Sequence, residues 1–108
     1  MVSTYLTSIA AVNETTAIKY RERLKKFGLF VSTYYEHSSI DNIVIQIKTN
    51  TVDVYNILGK YILYLKQSNN NISPNSLKNH IITIKNFFEY SDIDTSPRKF
   101  KLKVRLPK

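Results

Sequence analysis

A chain of 108 residues holds one domain with a real core and leaves little room for a second. With no Cys, disulfide frameworks and Cys-based zinc sites are excluded, and two His far apart in sequence make a poor metal site. Sixteen Lys and Arg against eight Asp and Glu give a net charge of +8, and six of those bases sit in the last eleven residues, RKFKLKVRLPK, where there is no acid. The body is therefore nearly neutral and the tail cationic. MVSTYLTSIAAV lacks the basic start of a signal peptide, and no apolar run approaches the ~18 residues needed to span a bilayer. A soluble, intracellular protein with no membrane partner is expected. Two Gly and three Pro supply little of the turn chemistry an all-β fold requires, so the expected class is all-α.

In chain order, residues 1–12 read as a short first helix, with Ser3 as cap and Tyr5, Ile9 and Val12 on one side, or as a loose arm. NETTAIKYRERLKKFGLFVSTYY follows, opened by Asn13 as cap and by Glu14, which suits the positive helix end. Ala17, Tyr20, Leu24, Phe27, Gly28 and Val31 recur at helical spacing, which leaves Thr15, Lys19, Arg23 and Lys26 on a basic outer face. SSIDNIVIQIK fits both a helix (Ile40, Ile43, Val44, Ile47) and a strand (Ile43, Ile45, Ile47). The lack of a partner strand nearby favours the helix.

The next segment, NTVDVYNILGKYILYLKQS, is apolar on most sides, as a helix at the centre of a bundle would be, and Gly59 within it suggests a close helix contact. After the polar break NNNIS, Ser73 caps a helix whose first position is Pro74. Leu77, Ile81, Ile84 and Phe88 form its core stripe, with Phe87 beside it. Asn75, Asn79, Ile82 and Asn86 lie on nearly the opposite side, flanked by Lys78 and Thr83. No acid interrupts that outer row before Glu89. KFKLKVRL then alternates base and apolar residue, the pattern of an extended segment with two faces. On this reading the core ends before Pro97, and folding survives loss of residues 98–108.

Catalytic constellations are scarce. There is no glycine-rich phosphate loop and no recognisable triad, and His37 and His80 read as surface residues. No enzymatic activity, cofactor, metal or small-molecule substrate is expected of this chain. Helix faces of Thr, Lys, Arg and Asn match what a DNA duplex asks for: bases neutralise phosphates, and Asn can pair bidentately with adenine edges. The capped start of the Ser73 helix also offers free NH groups to a phosphate. The competing explanation of the Asn row is the residue usage of an A- and T-rich genome, which explains abundance but not the avoidance of acids on that face.

NETTAIKYRERLKKF resembles the opening helix of the core-binding, SAM-like N-terminal domain of tyrosine recombinases (phage integrases). In that helix a Thr is followed four residues later by a Tyr and then by a Leu, here Thr16, Tyr20 and Leu24. SPNSLKNHIITIKNFFEYSDIDTSP is similar to that domain's last main helix, in which a capped polar start leads to paired aromatics, here Phe87 and Phe88, and an asparagine- or aspartate-rich turn before Pro97. VRLPK is similar to the linker into the catalytic domain. The resemblance runs from about Asn13 to Lys108, while VSTYYEHSSIDNIVIQIKTN is longer than the family's usual spacing, and residues 1–12 match nothing in it.

The resemblance implies a four- to five-helix SAM-like bundle over residues 13–97 and an extended basic linker over 98–108. It also implies a role in clamping recombination-site double-stranded DNA, with chemistry in a catalytic domain that has no counterpart in this chain. The isolated domain would be monomeric, and the longer protein would be cytoplasmic, nucleoid-associated and homo-oligomeric on DNA. The expected DNA contacts are Thr15, Thr16, Lys19, Arg23 and Lys26 from the first long helix, and Asn75, Ser76, Lys78, Asn79 and Thr83 from the last. Lys99, Lys101, Lys103 and Arg105 would follow the backbone from the tail. The reading from a different class is a helical protein-interaction module with an incidental basic tail. RNA binding is weaker, because exposed stacking aromatics are not evident.

Overall fold

Helix starts in this chain are written into short polar side chains. Asn13, Ser39, Asp53, Ser73 and Ser96 each hold an extended backbone, and each accepts a hydrogen bond from the NH three residues on. Such a cap satisfies a donor that the helix itself leaves free and is worth about 1 kcal/mol. In the computed structural model, which describes residues 2–36, 38–69 and 71–104, these caps open α2 (Glu14–Tyr34), α3 (Ile40–Lys48), α4 (Val54–Ser68), α5 (Pro74–Tyr90) and α6 (Pro97–Lys103); α1 (Val2–Ala10) precedes them. The described residues contain helices and no strand, so the ambiguous Ser39 to Lys48 segment is helix. With Ser39 as its cap, it buries Ile43, Val44 and Ile47 on one face.

The scarcity of glycine is explained at the helix ends. Asn50 and Asp92 take the left-handed conformation that more often selects Gly (φ 62° and 66°). The turns close there through Thr51 NH to the Gln46 carbonyl, 2.8 Å, and Ile93 NH to the Phe88 carbonyl, 2.9 Å. Asn and Asp tolerate this conformation better than other side chains.

The hub of the bundle is α2, which packs against α1, α3, α4 and α5, while α4 contacts α2, α5 and α6. Phe27 sits at the centre, its ring 5.0 Å from Tyr61 and 5.8 Å from Phe88. A radius of gyration of 13.3 Å is what a compact single unit of this length adopts, about 13 Å.

Four expectations are corrected. Of the two alternatives for the N-terminal segment the helix is observed, over Val2–Ala10, with Tyr5 buried against the rings of Phe87, Tyr90 and Tyr20; the correction there is that Ser3 lies inside the helix and does not cap it, and that Val12 is 90% exposed. Gly59 marks no close contact, since a Cβ there would meet nothing within 4 Å. α4 is not apolar-packed all round, because Leu63 is 59% exposed and its core face is Val54, Ile57, Leu58, Tyr61, Ile62 and Leu65.

The fourth correction concerns the tail, which from Pro97 to Lys103 is a sixth helix and not an extended linker. Ser96 caps it, Pro97 occupies its first turn, and the Ser96 NH donates to the Tyr55 hydroxyl at 2.9 Å. Helical geometry brings Phe100 and Val104, four residues apart, onto the core, where Val104 is 3% exposed. Truncation at residue 98 therefore removes core atoms. The RLPK end of the proposed linker, Arg105 included, lies outside the described residues, as does His37.

Candidate nucleic-acid interface

The α2 row lies only partly on an outer face. Thr15 and Lys19 are exposed, and Thr16, Arg23 and Lys26 are half-buried along the same side of the helix. Arg23 is the best positioned. Its Nη1 donates to the Thr83 hydroxyl at 3.0 Å, and its guanidinium lies 5.7 Å from the centre of the Tyr20 ring. None of these bases forms an ion pair with a carboxylate among the described residues, where the one ion pair is Lys85 to Glu89, 2.6 Å, on α5.

On α5, Asn75, Ser76 and Lys78 are exposed and Asn79 is half-buried. Ser76 takes part in the cap: its NH donates to the Ser73 hydroxyl, which in turn donates to the Ser76 hydroxyl, both at 3.1 Å. Thr83 is not a surface contact. It is 1% exposed, and its hydroxyl donates to the Asn79 carbonyl at 2.9 Å while accepting from Arg23. The helical wheel put Thr83 beside the polar row, but α2 packs over that position, so the residue acts as an internal strut for Arg23.

His80 is likewise not an ordinary surface side chain. It is half-buried in a cleft of about 600 Å³ between α2 and α5, lined also by Lys19, Glu22, Arg23 and Lys26. Its Nδ1 is buried with no partner among the described residues. Burial first, and then the charges of Arg23 and Lys26, hold its pKa below the usual imidazole value. Sequence reasoning missed this residue because its partners come from α2, more than fifty positions away.

The tail bases form a separate group. Lys99, Lys101 and Lys103 are exposed on α6, which packs on α4. Lys103 Nζ lies 5.4 Å from the Tyr55 ring centre, and Lys85 Nζ lies 5.5 Å from that of Phe100. Lys85 is about 200° round α5 from Thr83, so α6 lies against a different flank from the α2 row. In a helix the alternating pattern also divides, with Lys99 and Lys103 on one side and Lys101 about 200° away.

Among the described residues no group of three or more His, Asp or Glu is placed to hold a metal ion, and no helix is long and apolar enough to cross a membrane. Comparison with family models, curated proteins and solved structures finds no match to this chain.

Proposed function

We propose that this domain binds duplex DNA without acting on it chemically, with the α2–α5 cleft seated on the phosphate backbone and the start of α5 at the groove edge. The observation that carries the reading is the row Lys19, Arg23 and Lys26, which lines the cleft with His80 and forms no ion pair with a carboxylate among the described residues. Unpaired, partly desolvated bases interact with a polyanion more strongly than fully hydrated ones. Asn75 and Asn79 stand on the same helix as His80, at its start, and would provide the amides for base edges.

The resemblance of Thr16, Tyr20 and Leu24, and of the α5 segment with Phe87 and Phe88, to the core-binding domain of tyrosine recombinases makes site-specific recombination the proposed context. The domain would clamp the site while catalytic residues outside this chain perform the strand exchange, with further copies assembling along the DNA.

A second reading, a protein-interaction module, draws on the exposed side chains of Leu29, Tyr34 and Leu63. The two separate in a mobility shift of the purified domain with a short duplex at 50 and 200 mM salt. Phosphate binding weakens steeply over this range, by about tenfold for each one to two phosphates neutralised. Absence of any shifted species at 50 mM would favour the protein-interaction reading.

A further inference from the structure

We infer that the cleft between α2 and α5 is a phosphate seat in which Arg23, Lys26 and His80 surround one anion, and that His80 takes up a proton as the anion binds. This rests on the DNA reading for its biological ligand, but the seat itself is defined by the residues of the cleft.

Three observations converge there. Arg23 is held in place, with Nη1 on the Thr83 hydroxyl at 3.0 Å and the guanidinium near the Tyr20 ring, so an anion meets a guanidinium whose orientation is already set. Lys26 is half-buried yet has no carboxylate partner among the described residues. His80 carries a buried Nδ1 with no partner among the described residues, and its ring feels both of those charges. A phosphodiester or free phosphate brings negative charge and several acceptor oxygens to a cleft where the cationic side chains of Lys19, Arg23, Lys25 and Lys26 outnumber the one carboxylate, Glu22.

The neutral state of the ring follows from its surroundings. Around the cleft stand Lys19, Glu22, Arg23, Lys25 and Lys26 from α2 and Tyr64 from α4, and His80 alone has an ordinary pKa between pH 5 and 8. Burial and the adjacent cations disfavour the imidazolium. A bound phosphate cancels the repulsion from Arg23 and Lys26 and reverses the preference. Anion affinity therefore rises as pH falls through a window that opens at the higher pKa of the bound form and closes at the depressed pKa of the free form. Each unit by which the anion raises the pKa appears as about a tenfold gain in affinity across the window.

The test is an NMR pH titration of the His80 ring in the wild-type domain, alone, with inorganic phosphate, and with a short duplex. An upward pKa shift with both ligands is expected. Lys26→Ala should reduce that shift, and His80→Gln should remove the pH dependence of duplex binding while leaving its salt dependence. If the duplex binds and the His80 titration does not move with either ligand, the phosphate seat is wrong and the DNA reading stands. If inorganic phosphate moves the titration while no duplex binds, the seat stands and the DNA reading fails.

Discussion

Thr83 joins the core to the candidate interface through one hydroxyl, which accepts from Arg23 and donates to the Asn79 carbonyl. Thr83→Val keeps the shape and removes that acceptor. A loss of about 0.5–1.5 kcal/mol in urea denaturation is expected, the usual net worth of such a hydrogen bond, together with weaker duplex binding from a less ordered Arg23. Unchanged affinity would mean that the strut has no bearing on the interface. Tyr61 gives the opposite case: fully buried at the centre of α4, its hydroxyl has no partner among the described residues, and burial pushes its pKa up. Tyr61→Phe is expected to stabilise the fold by roughly 1–3 kcal/mol, because a desolvated, unpaired hydroxyl is a cost. His80 adds a pH signature. Its folded pKa lies below its unfolded value, so the unfolded chain binds more protons between the two, and stability falls as pH drops below about 6.5 towards the folded pKa. His80→Gln should flatten that part of a thermal-melt pH series.

At the scale of elements, the same physics explains what was legible and what was not. α2 and α5 are readable because a capped start and a 3.6-residue apolar period are local properties, and Leu24, Phe27, Leu77, Ile81, Ile84 and Phe88 are all buried as their spacing implies. α6 was misread because period-two alternation over KFKLKVRL outweighed a cap and a proline, Ser96 and Pro97, that announce a helix. Phe100 and Val104 satisfy the helical spacing equally well, and only their docking on α4 and Tyr55 decides between the two patterns. The basic row of α2 was visible for similar local reasons, whereas burial of Thr83 and the position of His80 depend on how two distant helices cross. The distinction is measurable. Val104→Ala should cost roughly 1–3 kcal/mol, the value of deleting buried methyl groups, and Leu102→Ala, at a 57% exposed position, should stay within about 0.5 kcal/mol. Equal, negligible effects would return residues 98–104 to a passive extended tail.

For the molecule as a whole, charge is sorted by helix. Among the described residues the α2 bases line the cleft with His80, α6 lies against another flank, and the Lys85–Glu89 pair neutralises itself on α5. A field arranged this way can steer a polyanion from several sides, but a single duplex seated in the cleft would draw its contacts chiefly from α2 and α5. The salt dependence of binding counts those contacts, because each neutralised phosphate contributes about 0.9 to the slope of log K against log salt. The most direct measurement is therefore the slope for a fluorescent duplex between 50 and 200 mM salt, in the wild-type domain, in Arg23→Gln/Lys26→Gln, and in Lys99→Gln/Lys101→Gln. Loss of about 2 from the slope in the α2 pair, with little change in the α6 pair, is the expected result. A wild-type slope retained by the α2 pair would contradict the assignment of DNA binding to the α2–α5 cleft.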